Sequence, residues 1–199
     1  MNFEILVATN NAHKLKEIRQ ILSPHHITVY GMKDLNIDIG EVIENGGTYF
    51  ANALIKAEAL QKVTKMPILA DDTGLEILSM NNEPGLYTAR YATQLGGHQE
   101  AFKDIFKRIK GKDRSAAFIC SIVVLNVEDK PLRFEARIPG HIASEITEGE
   151  GFGYDPIFIC DELNKTYAEM GQEEKNRVSH RGKALKKFLT YLTINNLIR

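Results

Sequence analysis

Two adjacent carboxylates, Asp71 and Asp72, directly follow the apolar run Met66-Pro67-Ile68-Leu69-Ala70 and directly precede Thr73 and Gly74. This order reads as a buried strand that ends in a turn and presents acids at its mouth. Burying two neighbouring carboxylates is costly unless a cation compensates them. A hard divalent ion is the usual remedy, and Mg²⁺ favours one or two carboxylates together with substrate phosphates. The plainer alternative is that one aspartate caps the following turn while the other is solvated.

Three further segments carry polar chemistry. Thr9, Asn10, Asn11, Ala12, His13 and Lys14 link an apolar run to an amphipathic one, a strand–turn–helix junction where backbone N–H groups and the positive helix end can hold an anion. It lacks the glycines of a P-loop. Asn10 or Asn11 as an N-cap with a solvated Lys14 explains the same residues, although a lysine in a first turn opposes the helix dipole. The stretch 175–183 places Lys175, Arg177, His180, Arg181 and Lys183 before and into a final helix, with Ser179 as a candidate N-cap. It is either an anion site or a solvated charged face. Phe152, Gly153, Tyr154 and Asp155 form an aromatic–glycine turn. Its rings are suited to stacking on a base and its acid to accepting from a base N–H, or Phe152 fills the core and Gly153 permits a bulge.

The elements that must position these groups follow from periodicity. Strands are predicted at 3–8 and 27–30, up to the acid pair, and at 75–80. Helices are predicted at 14–22, from Thr48 as N-cap to about 64, at 100–109, and from about 181 to 195. Residues 84–92 read as a loop. The segments 116–127 and 132–138 read as a β-hairpin, 142–147 and 156–160 as further short strands. The fold class is α/β: a mixed sheet with flanking helices, in two lobes around a central substrate cleft.

Composition narrows the function classes. The chain has 199 residues, 43% hydrophobic and 26% charged, with a formal net charge of -1, so residues 1–199 are expected to form one soluble domain. A near-neutral chain is a poor fit to a nucleic-acid-coating protein, whereas a few local cations suffice for one triphosphate. Cys120 and Cys160 lie in apolar runs with no metal-ligand spacing. The absence of a signal peptide or spanning segment points to no membrane partner and a cytoplasmic location.

Six segments in order, ATNNAHKLKEI, ENGGTYFANALIKA, ADDTGLEI, PGLYTARYA, GFGYDPIF and EKNRVSHRGKAL, span Leu6 to Leu185. Together they resemble the inosine triphosphate pyrophosphatases, also described as dITP/XTP pyrophosphatases. The resemblance implies a two-lobed, inosine triphosphatase-like α/β fold, usually a homodimer, and Mg²⁺-dependent hydrolysis of ITP, dITP or XTP to the monophosphate and pyrophosphate. It implies that Thr9, Asn10, Asn11, Ala12, His13 and Lys14 hold phosphates, and that Glu44 and Asp72 hold metal. Asp72 would also be the base, and Thr73 would contact substrate. Phe152, Gly153, Tyr154 and Asp155 would form the base pocket, with Lys175, His180 and Arg181 completing it. Two positions depart from the family's pattern. Thr73 stands where many members have serine, which keeps the hydroxyl. Ala51 stands where many have glutamate, which shifts the supporting task to Glu41 or Glu44.

Two other activities share parts of this pattern. One is a related pyrophosphatase acting on other modified nucleotides, including pyrimidines, which a substrate panel separates. The other is a nucleotide-binding regulator without catalysis, to which the acid set Glu44, Asp71 and Asp72 is superfluous.

Overall fold

A computed structural model describes residues 3–198. The strands are β1 (Phe3–Val7), β2 (Ile27–Gly31), β3 (Ile68–Ile77), β4 (Glu83–Gly85), β5 (Ser115–Leu125), β6 (Leu132–Ile142), β7 (Phe158–Cys160) and β8 (Lys165–Thr166). The helices are α1 (Ala12–Leu22), α2 (Tyr49–Gln61), α3 (Thr88–Gln94), α4 (His98–Arg108), α5 (Gln172–Val178) and α6 (His180–Ile194). The sheet order is β2-β1-β3-β5-β6-β7-β8, with β4 on β3. It mixes parallel pairs (β1 with β2 and β3) and antiparallel ones (β3 with β4, β6 with β7, β7 with β8), as the α/β reading expects.

The chain divides into two compact units, with the boundary inside β3, β5 and β6. Unit 1 holds the chain up to Asp72, Cys120–Ala136 and the chain from Arg181. The parallel strands β1 and β2 carry its apolar runs, and Ile5, Val7, Ile18, Leu22, Leu69, Ile122, Leu185 and Phe188 bury against one another. A further group, Leu6, Ala53, Ala57, Leu60, Ile68 and Val123, packs around α2. Helix α1 starts where Asn11 Oδ1 accepts the backbone N–H groups of His13 (2.9 Å) and Lys14 (3.1 Å). Helix α2 starts where Thr48 Oγ1 accepts that of Ala51. Caps of this kind stabilise a helix by about 0.5–2 kcal/mol.

Unit 2 comprises Thr73–Ile119 and Arg137–His180. Its core gathers Leu75, Ile77, Phe102, Ile105, Phe118, Tyr154, Ile157, Phe158 and Tyr167. Helix α4 turns Ala101, Phe102 and Ile105 inward, the stripe its apolar spacing predicts.

Four expectations are corrected. The strand before the acid pair does not end there. β3 runs unbroken through Asp71, Asp72 and Thr73, pairing first with β1 and then with β4. The stretch 84–92 is not a loop but the end of β4 and most of α3. No strand covers 143–147, because β6 extends to Ile142 and absorbs the apolar residues there. Lys175 lies on a separate helix, α5; Ser179 ends it and directly precedes α6, the place the sequence gives it.

Candidate active site

In unit 1 the acid pair is surrounded by cations. Lys14 Nζ lies 3.1 Å from Asp71 Oδ2. Arg181 donates to the same oxygen through Nε (3.2 Å) and Nη2 (3.1 Å), and its Nη1 donates to Glu17. Asp71, Glu17 and Arg181 are all buried. Burial alone would push the Asp71 carboxyl up; the charges of Lys14, Arg181 and Lys56 outweigh it and hold the group well below the usual carboxylate range. The dipole conflict at Lys14 is thus answered by the protein's own carboxylate, not necessarily by a ligand. Asp71 Oδ1 is buried and has no hydrogen-bond partner among the described residues.

Asp72 sits differently. Its Oδ1 accepts from Lys56 Nζ at 3.1 Å, and the same ammonium donates to Glu44 Oε2 at 2.9 Å. Among the described residues, Asp72 Oδ2 is held only by a 3.3 Å bond from Asn52 Nδ2. Burial, the largest influence, pushes the Asp72 carboxyl above its ordinary value; Lys56 and Lys14 pull it down and Glu44 adds to the rise. Asn52 also ties the 44–46 segment in place, since its Oδ1 accepts the N–H of Gly46 at 2.8 Å. Two consecutive aspartates therefore differ by environment: Asp71 is locked ionised, and Asp72 is the more basic.

Sequence reasoning missed Lys56, Asn52 and Glu17. A signal for the first two was present. Asn52 and Lys56 are four apart in a stretch, 50–57, that is otherwise apolar, which puts them on one face. Ala51, where many family members have glutamate, leaves no room for a side chain at residue 46: a Cβ built on Gly46 would lie 2.5 Å from the Ala51 methyl. Glu44 converges with Asp72, and Glu41 is exposed.

The junction 9–14 forms the predicted turn, with Asn10, Asn11, Ala12 and His13 exposed. Thr9 Oγ1 accepts the N–H of Asn11 at 3.1 Å.

Unit 2 carries the aromatic turn. Asp155 Oδ2 accepts from the N–H of Phe152 (2.8 Å) and from Lys175 Nζ (2.6 Å). The Lys175 ammonium lies over the Phe152 ring at 4.7 Å and the Tyr167 ring at 5.9 Å. His180 stacks on Phe118 with centroids 4.5 Å apart and planes 7° from parallel. Phe152 and Gly153 are half-buried, while Tyr154 is buried and donates its hydroxyl to the Thr88 carbonyl at 2.9 Å. Thr73, half-buried, opens the unit-2 half of β3. Lys175 is thus in contact with the aromatic turn. The Arg181 guanidinium is bound to Asp71 and Glu17 within unit 1.

The donors fit a hard cation. Glu44 and Asp72 already direct carboxylate oxygens at a single positive centre. No group of three or more His, Cys, Asp or Glu forms a metal cage among the described residues. A Mg²⁺ site made of one or two carboxylates and completed by water and phosphate needs no such cage.

The sequence pattern of the Ham1 family matches residues 5–191. A dITP/XTP pyrophosphatase of Treponema denticola is 40% identical over 186 residues, covering 92% of this chain and 94% of that protein. A dITP/XTP pyrophosphatase of Bacillus subtilis is 38% identical over 187 residues, with the same coverage of both. The solved structure of a HAM1 protein from Coxiella burnetii superposes with a TM-score of 0.84 at 36% identity, covering 96% of this chain and 98% of that one. On the extent of these matches, the chain belongs to the Ham1 family.

Proposed function

We propose that this protein hydrolyses non-standard purine nucleoside triphosphates, dITP, XTP and ITP, to the monophosphate and pyrophosphate. It would thereby keep aberrant bases out of DNA and RNA. The observation that carries the reading is the pair of unlike aspartates on β3, one fixed by Lys14 and Arg181, the other paired with Glu44 around one cation. Relatives named for this activity match almost the whole chain.

In this reading Glu44 and Asp72 would hold Mg²⁺, which would supply charge neutralisation for the phosphates and a lower pKa for bound water. Asp72 Oδ2, the loosely held oxygen, aligns a water for attack on phosphorus and takes its proton. The bond between the α- and β-phosphates breaks, and pyrophosphate leaves with the bridging oxygen. Lys14 and Lys56 share their charge between the acids and the phosphates. The turn 9–14 holds a phosphate oxygen through the polar groups that the Asn11 cap leaves open. Phe152 stacks on the base, and Lys175 with His180 reads its oxygens. A donor aimed at the 6-oxo group leaves adenine's 6-amino group unmatched, which costs about 1–3 kcal/mol when buried.

Around this core we place a homodimer working in the cytoplasm on the free nucleotide pool, with no membrane or nucleic-acid partner. Two buried free thiols, Cys120 and Cys160, suit a reducing compartment. None of the described helices is long and apolar enough to cross a membrane.

Asp72→Asn tests the assignment. The variant keeps the circular dichroism and melting curve of the parent and loses at least about 10²-fold in kcat. Turnover at the parental rate refutes Asp72 as the base.

A further inference from the structure

The aromatic turn 152–155 is steadied by a residue that no motif marks. His98, the first residue of α4, is exposed. Its ring meets Tyr154 edge-on, with centroids 5.4 Å apart and planes at 73°. Tyr154 also meets Phe102 at 5.8 Å and 64°, and His98 lies 6.2 Å from Phe102. Three rings therefore brace one another, with Phe102 in the core and His98 on the solvent side. Gly153 has φ +64°, and a side chain built there would point at His98 Nε2, 3.9 Å away. The imidazole thus lies within van der Waals reach of a side chain at Gly153 and packs across the Tyr154 ring.

We propose that His98 is a positioning residue for base recognition: it fixes Tyr154 and Gly153, and through them the angle at which Phe152 meets the purine. This rests on the reading above that the turn holds the base. The Tyr154 hydroxyl is anchored on Thr88 at its far end, and α4 flanks the ring with Phe102 from the core and His98 from the solvent side. An edge-to-face contact is of a size to change affinity by about two- to tenfold when lost. Because the contact is to the turn and not to the phosphates, its loss falls on KM.

The test compares His98→Ala, His98→Phe and Phe152→Ala in the full-length protein, with dITP and XTP as substrates and Mg²⁺ present. His98→Ala raises KM about three- to tenfold with kcat within about twofold of the parent, and its melting temperature stays near that of the parent because the residue is exposed. His98→Phe, which restores an edge, returns KM to the parental value. Phe152→Ala raises KM as well. If His98→Ala leaves KM unchanged while Phe152→Ala raises it, His98 has no positioning role and the turn keeps its own. If Phe152→Ala also leaves KM unchanged, the turn does not hold the base and both readings fall. A His98→Phe variant as impaired as His98→Ala overturns the packing argument.

Discussion

Two neighbouring aspartates with identical side chains carry different tasks because their surroundings differ. Asp71 is buried beside Lys14 and Arg181, whose charges overcome the desolvation that would raise it. Its folded value lies below its unfolded one, so the stability it contributes is complete above the ordinary carboxylate range. That stability fades as pH falls below about 4 toward the depressed value. Asp71→Asn is therefore less stable than the parent at pH 7 without added metal, and the difference narrows in melts at pH 3. A difference that stays constant over that span contradicts the ion-pair account. Asp72 has the opposite sign. Burial raises it, so its charged form is a cost at neutral pH, which is the condition of a useful base.

Helices α1, α2, α5 and α6 each bring a cation to a carboxylate: Lys14 and Arg181 to Asp71, Lys56 to Glu44 and Asp72, Lys175 to Asp155. The last pair is buried on both sides, with side chains 5% exposed each. Lys175→Met strands the Asp155 charge and costs about 3–5 kcal/mol, measured by urea unfolding; a loss under about 1 kcal/mol contradicts a desolvated pair. The positions of α1 and α2 were legible in their caps and apolar stripes, those of α4 and α6 in their apolar stripes. Helices α3 and α5 were not: both are 7 residues long, too short for a repeat to stand out, and Pro84 and Gly85 imitate a loop. The uninterrupted β3 was hidden because an acid pair reads as a strand end. Only the cations of α1, α2 and α6, distant in sequence, make it tolerable in mid-strand. The candidate acids, Glu44 and Asp72, and the aromatic turn were readable by motif. Lys56 was not picked out, since a lysine in an alanine-rich helix looks solvated. The partners of Arg181 were not legible because nothing in its neighbourhood names Asp71 and Glu17.

At the scale of the whole molecule, the fold divides its chemistry between two cores. Unit 1 gathers acids and lysines around β3 and the start of α6; unit 2 gathers rings around the 152–155 turn. The chain passes from one unit to the other at Asp72–Thr73 and again at His180–Arg181, so residues of both groups are consecutive in sequence. A near-neutral surface charge and a small set of local cations suit a single nucleotide. Removal of divalent ions with a chelator abolishes turnover, and Mg²⁺ restores it; activity that survives chelation contradicts the role given to Glu44 and Asp72.

The most direct test is pyrophosphate release from dITP, XTP and ITP, with ATP, GTP and modified pyrimidine triphosphates alongside, each with and without Mg²⁺ and with products identified. The account predicts monophosphate and pyrophosphate in equal amounts, only with metal, and with kcat/KM for the oxo-purines at least about tenfold above that for ATP. Release of inorganic phosphate, or equal turnover of ATP, contradicts it.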